Sequence, residues 1–314
     1  MRRKAFLIPM LLIISSYAYP QTHCSNCEIF IKDFVNRYIP SLSKIICHGD
    51  MSAGFFCEGD AEPQLLNCLP VLVHEQLHHY NKSLNEELIS GARKYYFSER
   101  VYILQRVPNI FESSLIAPIF PKNLVDSNLR YQSYIIGKNI TDQNDPAFKG
   151  DSRKNGIYGL LEELSAYYYS VLTAVKEYDY LRTCYPADSS RVWFDYMIKS
   201  GTLITSYYEF KLFIAYYLFE AKNNYGQVYS QLVSNNELKE LYSRIDESFT
   251  QIIKTYWENR EKIMNSKQTI LIKNSYAFTK ENSNDRYLLP DNDLKKLQAH
   301  FTPAVVNMLK ALHR

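Results

Sequence analysis

The hydrophobic pattern of this chain is mainly helical. In several stretches apolar residues recur every three or four positions, which places them on one face of a helix. These stretches are about 28–39, 157–182, 190–222, 227–264 and 294–312. Strand-like alternation is short: it is clearest at 100–104, and 131–136 and 269–272 are further candidates. We therefore predict an α+β fold that is predominantly helical, with a small sheet and a C-terminal helical extension.

One further helix is predicted around the sequence His74-Glu75-Gln76-Leu77-His78, an HExxH motif. Pro70 suits the first turn of this helix because its missing N–H costs nothing there. His74 and His78 are four residues apart, so their rings share one helix face and can bind one metal ion. Glu75 can then take a proton from a water molecule that the metal activates. The alternative is an ordinary amphipathic helix whose histidines are solvated or satisfied in the core.

The residues around the motif resemble a known family. Val71, His74, Glu75, His78 and Tyr80 are spaced as in the active-site helix of the zincin metallopeptidases. The resemblance implies a zincin-like catalytic core in which Zn²⁺ is bound by His74 and His78 and Glu75 is the general base. It also implies a peptide or protein substrate.

A third ligand must come from another part of the chain. The metzincin subclass is excluded, because Asn81 and Leu84 stand where its motif has Gly and His. Gluzincins take a Glu from a later helix, commonly within N-E-x-x-A-x-Y. The sequence from Glu163 onward resembles this pattern, with Glu162 in place of the Asn. The resemblance therefore implies Glu163 as the third metal ligand.

Helical geometry favours the same residue. The helix predicted from residue 157 has one apolar stripe. Its members are Ile157, Leu160, Leu161, Leu164, Tyr168, Val171, Leu172 and Val175. At about 100° per residue, Glu163 lies on the margin of this stripe and Glu162 points to the opposite side. A carboxylate at the edge of a buried face needs a partner, and a metal ion is a suitable one; Asp126 and Asp179 are the fallback ligands.

The N-terminus has the features of a secretory signal peptide. Three basic residues at 2–4 precede an apolar run at 5–14, and small residues follow at Ser16 and Ala18. Cleavage after Ala18 would leave an exported protein, secreted or periplasmic, with a retained membrane anchor as the alternative. We divide the chain into a signal peptide, 1–18, and one elaborated domain, 19–314. Within that domain we expect a Cys-rich lead-in at 19–69, the metal-site core at 70–182 and a helical part at 183–314.

Removing the signal peptide changes the charge balance. The whole chain has 36 Lys and Arg against 33 Asp and Glu, and the three basic residues at 2–4 account for the difference. A mature net charge of zero indicates neither a nucleic-acid partner nor an anionic membrane surface. No later stretch reaches the roughly 18 apolar residues of a transmembrane helix, so no stable membrane insertion is expected.

Six cysteines remain in the mature chain, and their number suggests up to three disulfides in an exported protein. They are Cys24, Cys27, Cys47, Cys57, Cys68 and Cys184. The pair at Cys24 and Cys27 has a redox or metal-binding alternative. Taken together, these features predict a secreted, zinc-dependent metallopeptidase. The alternative function is a non-catalytic binding or structural protein that keeps the zincin-like scaffold.

Overall fold

The computed structural model of the protein describes residues 27–46, 62–85, 91–125, 129–137, 152–185, 190–266, 270–279 and 286–314. It is predominantly helical with small sheets, as predicted. The helices are α1 Cys27–Tyr38, α2 Ser43–Ile46, α3 Glu62–Asn85, α4 Lys122–Val125, α5 Leu129–Tyr131, α6 Ile157–Cys184, α7 Ser190–Asn224, α8 Gly226–Ser234, α9 Asn236–Ser266, α10 Asp291–Gln298 and α11 Pro303–Lys310. The strands are β1 Ala92–Phe97, β2 Arg100–Gln105, β3 Ile270–Lys273, β4 Tyr276–Thr279 and β5 Tyr287–Leu288.

Helix α6 is the centre of the molecule. It packs against α3 on one side and α7 on another, with further contacts to α9 and α1. Most of its residues are buried, including the polar side chains of Glu162, Glu163 and Glu177. Helices α3 and α6 run antiparallel, because Pro70 contacts Ser170 while His78 contacts Glu162. This pairing brings the HExxH motif beside the first turns of α6.

Pro70 does not begin α3 but lies inside it, eight residues after Glu62. The prediction that the helix starts at Pro70 is therefore wrong. A proline in a helix leaves the carbonyl four residues earlier without its N–H donor, here the carbonyl of Leu66. The Lys199 ammonium of α7 donates to that carbonyl over 3.1 Å. A side chain from another helix thus replaces the missing backbone hydrogen bond, and α3 continues through the proline.

The strands form two separate sheets rather than one. Strands β1 and β2 make an antiparallel hairpin that packs on α3, and β3, β4 and β5 make an antiparallel sheet far along the chain. The outer edge of β1 is occupied by side chains of α3. The side-chain Oδ1 of Asn81 accepts from the Tyr96 N–H at 2.9 Å, and the Asn85 side chain both accepts from and donates to the backbone of Lys94. The hairpin is therefore fastened to the helix that carries the motif.

Three further predictions about secondary structure need correction. Residues 131–136 are helical, ending in a π-helix at Gln132–Ile136 that stops at the left-handed Gly137. The helix expected over 227–264 is two helices that break at Asn235, whose side chain caps α9 by accepting from the Leu238 N–H. The helix expected over 294–312 is also two, because Thr302 caps a new helix that has Pro303 in its first turn.

Several predicted features lie outside the described residues. They are the signal peptide at 1–18, Cys24, Cys47 and Cys57, Asp126, and most of the loop predicted at 138–155. The disulfides and the export signal therefore remain predictions. Among the helices of the described ranges, none has the combination of length and hydrophobicity needed to cross a membrane.

Candidate metal centre

Three side chains predicted as metal ligands come together between α3 and α6. His74 and His78 project from one face of α3 towards Glu163, which lies in the second turn of α6. Each offers one ligand atom, and the three atoms lie within 4.8 Å of one another. Within the described ranges this is the one group of three or more His, Cys, Asp or Glu residues with such geometry.

The spacing of the three ligand atoms suits a zinc ion. Nε2 of His74 is 3.1 Å from Nε2 of His78, and Oε2 of Glu163 lies 3.5 and 3.6 Å from those two nitrogens. Zinc binds nitrogen and oxygen at about 2.0–2.2 Å, so neighbouring ligands of a tetrahedral site are roughly 3.3–3.5 Å apart. Glu163 is 7% exposed, and its Oε2 has no hydrogen-bond partner among the described residues. The residues present therefore fit the ion.

The other ring nitrogen of each histidine also faces a polar group. Nδ1 of His78 is 3.4 Å from Oε1 of Glu162, and Nδ1 of His74 is 3.5 Å from the Ser170 hydroxyl. That hydroxyl donates to the Pro70 carbonyl at 2.9 Å, so it can accept from His74. Both contacts favour the tautomer with the proton on Nδ1. The lone pairs on Nε2 are then directed at the centre.

Glu162 does not point away from the metal helix, contrary to the prediction from the apolar stripe. It is buried, contacts His78, and forms an ion pair with Arg93 of β1. The prediction failed because α6 is surrounded by other elements, so the side opposite its apolar stripe faces α3 and the hairpin rather than solvent. Arg93 gave no signal in the sequence. Ser170 could have been found from the sequence, because it follows Glu163 by seven residues and two helical turns return it to the same face.

The neighbouring side chains shift the pKa values of His78 and Glu163. Burial lowers the pKa of His78, but the charge of Glu163 and the hydrogen bond with Glu162 outweigh it and hold that pKa well above 6.5. Burial raises the pKa of Glu163, but the charge of His78 and the neighbouring His74 outweigh it and hold that pKa well below 4.5. Glu163 and His78 thus stabilise each other's charged forms, and a metal ion bound by these two and His74 would displace the proton on His78.

Aromatic side chains form a wall beside His74. The Tyr167 ring meets the His74 ring edge to face at 4.6 Å, and its hydroxyl is 3.3 Å from that of Tyr134. The Arg130 guanidinium lies 4.7 Å from the centre of the Tyr167 ring and forms an ion pair with Glu209. Burial and the charge of Glu163 raise the pKa of Tyr134, so its hydroxyl keeps its proton. This wall closes the side of the centre that faces α5 and α7.

The other residues predicted for this region differ in their positions and contacts. Glu75 is half-buried, follows His74 directly on α3, and makes no hydrogen bond or ion pair with the described residues. His79 is exposed. Asp179 is sixteen residues beyond Glu163 on α6 and pairs with Lys176, so it is not at the centre. The candidate site therefore consists of His74, His78 and Glu163, with Glu75 next to His74 in the sequence.

Comparisons with family models, curated proteins and solved structures found no match for this chain.

Proposed function

We propose that this protein is a zinc-dependent metallopeptidase with a gluzincin-like ligand set, in which α3, α6 and the β1–β2 hairpin form a zincin-like catalytic core. The observation that carries the proposal is the convergence of two imidazole Nε2 atoms and one buried carboxylate oxygen, which has no hydrogen-bond partner among the described residues. A metal ion bound by all three would replace the hydration that the buried carboxylate has lost.

The roles of the chain's own residues follow from their positions. His74, His78 and Glu163 would hold Zn²⁺, while Glu162 and Ser170 orient the two imidazoles from behind. When bound, zinc polarises a carbonyl and lowers the pKa of a water molecule to about 7. Glu75 is the general base: its carboxylate takes a proton from the attacking water and passes it to the leaving amine.

The substrate and the location of the enzyme are proposed from the sequence. A peptide or protein substrate follows from the resemblance to zincins, and export follows from the signal peptide expected at 1–18. The mature chain with equal numbers of acidic and basic residues gives no reason to expect a nucleic-acid partner.

Metal content and hydrolysis test the proposal. Mature protein purified without chelators should contain about one zinc per chain by elemental analysis. His78→Ala should lose most of it, while His79→Ala, which removes the exposed neighbouring ring, should keep it. Absence of zinc from the parent protein, even after incubation with zinc, would overturn the proposal.

Cleavage of a peptide library by the zinc-loaded protein, read by mass spectrometry, tests the reaction itself. Zinc binding without any cleavage would favour the non-catalytic scaffold instead.

A further inference from the structure

A second polar site lies at the other end of the α3–α6 helix pair. Its centre is Glu177 of α6, fourteen residues after Glu163, which corresponds to about 21 Å along the helix axis. Lys199 of α7 pairs with Glu177 and donates to the Leu66 carbonyl that Pro70 leaves without a partner. The ammonium is therefore fixed from two directions and has little freedom to turn.

Glu177 is only half satisfied by this arrangement. The residue is 1% exposed, and one carboxylate oxygen pairs with Lys199. The other oxygen, Oε1, is buried and makes no hydrogen bond with any described residue. A buried carboxylate oxygen without a donor is costly, because its lost hydration is not replaced.

Glu177 and Lys199 line a small cleft between α3, α6 and α7 with a cavity volume of about 50 Å³. We call it the Glu177 cleft. Leu66, Leu181 and Val192 give it apolar walls, and Asp195 adds a second carboxylate nearer the solvent. The lining therefore holds two carboxylates and one ammonium. The partner of Asp195, Arg191, is half-exposed and is not part of the lining.

The lining selects among cations. Among the described residues only the His74 group brings three His, Cys, Asp or Glu atoms together as in a metal site, and the cleft lining already includes an ammonium. An alkylammonium ion needs one or two acceptors for its N–H groups and an apolar surface for its chain. The Glu177 cleft offers both.

We propose that the Glu177 cleft is a binding site for a small primary ammonium compound, with its nitrogen towards the carboxylates of Glu177 and Asp195 and its alkyl part against Leu66, Leu181 and Val192. This site is separate from the metal centre and does not depend on the proposed peptidase activity.

Binding of n-butylammonium chloride to the full mature protein at pH 8 tests the proposal, by calorimetry or ligand-detected NMR. Binding with a Kd of roughly millimolar is expected for so small a ligand. Butan-1-ol has the same chain without the charge and should bind at least about tenfold more weakly. Zinc content, measured in parallel, should stay the same with and without the ligand.

Two variants locate the site. Glu177→Gln should weaken butylammonium binding at least about tenfold, and Asp179→Asn, which removes a partly exposed carboxylate two residues away on α6, should leave it unchanged. Should Glu177→Gln fail to fold, Asp195→Asn leaves the Glu177–Lys199 pair intact and should weaken binding by a few-fold. The proposal is wrong if butylammonium does not bind the parent, binds no better than butan-1-ol, or binds equally after the carboxylate in the cleft is removed.

Discussion

Two adjacent glutamates of α6 face the same pair of histidines in different ways. Glu163 directs a buried oxygen at Nε2 of His74 and His78, while Glu162 contacts Nδ1 of His78 and is itself held by Arg93. In the proposed metal site, a ligand and the carboxylate that orients another ligand thus come from consecutive positions. This is possible because α6 is enclosed on several sides, so neighbouring residues pointing in different directions still meet other parts of the protein.

Glu163→Ala should reduce zinc affinity by more than about 10²-fold, because one of three ligands is lost. Glu162→Ala should reduce it by about 10- to 100-fold, the range typical for removal of a group that orients a metal-bound histidine. Competition with a chromophoric chelator measures both, with Glu258→Ala on the exposed face of α9 as the control. Unchanged affinity in Glu162→Ala would show that the contact with His78 does not orient the ring.

Glu75→Gln should keep its zinc and lose peptide hydrolysis by at least about 10²-fold, since the amide cannot accept the proton of the attacking water. Glu75 makes no hydrogen bond or ion pair with the described residues, so the melting temperature should stay close to that of the parent. Rates on a substrate that the parent cleaves, measured at equal zinc content, give the answer. A parental rate in this variant would remove Glu75 from the mechanism.

At the scale of elements, periodicity predicted what depends on local sequence. The long helices α6 and α7 and strand β2 are where the pattern puts them. The predictions that failed concern segments whose conformation depends on packing against another element. Residues 132–136 have the β-branched and aromatic residues of a strand, yet Tyr134 packs on Tyr167 and Phe210 from a helical turn. Propensity is a weak guide where tertiary packing opposes it.

The same limit explains why the position of Pro70 in its helix was predicted wrongly. A proline at the start of an apolar run is usually a helix start, and the sequence around it contains nothing that argues otherwise. The helix continues because Lys199, 129 positions later, donates to the Leu66 carbonyl. The ligands His74, His78 and Glu163 could be proposed from motif and spacing, whereas Arg93 could not, because its ion pair with Glu162 depends on how the hairpin packs.

The contact between α3 and the hairpin gives a prediction at this scale. Asn81→Ala removes the acceptor of the buried Tyr96 N–H and should lower the free energy of unfolding by about 1–3 kcal/mol. Hydrogen exchange of the Tyr96 amide should become faster as β1 loosens from α3. Asn36→Ala, which removes an exposed hydrogen bond to Ser43, is the control and should change neither quantity appreciably. An unaltered Tyr96 exchange rate in Asn81→Ala would show that the hairpin does not rely on this bond.

At the scale of the whole molecule, one helix pair carries two polar sites. The candidate metal centre lies where α3 and α6 meet the hairpin, and the Glu177 cleft lies where the same helices meet α7. Both place a carboxylate of α6 beside cationic or titratable groups from another helix. They differ in the effect on the carboxyl pKa: the partners of Glu163 lower its pKa, whereas burial raises the pKa of Glu177.

That difference predicts how stability changes with pH. Burial raises the pKa of Glu177 from 4.5 to about 7, although Lys199 opposes the shift. Between pH 4.5 and 7 the folded protein therefore keeps a proton that the unfolded chain has released. The folded state binds more protons in this window, so stability falls as pH rises through it and levels off above about 7. A shift of this size corresponds to about 3 kcal/mol at most.

Glu177→Gln should not show this fall, because the amide does not titrate. The measurement is the free energy of unfolding from urea titrations at pH 5, 6, 7 and 8, plotted as the difference between parent and variant so that other titrating groups cancel. Loss of the Lys199 pair will offset the curve, but its slope over this range reports Glu177 alone. Asp179→Asn on the same helix should give a flat difference. A flat difference for Glu177→Gln as well would mean that Glu177 stays ionised in the folded protein, held by Lys199 against its burial.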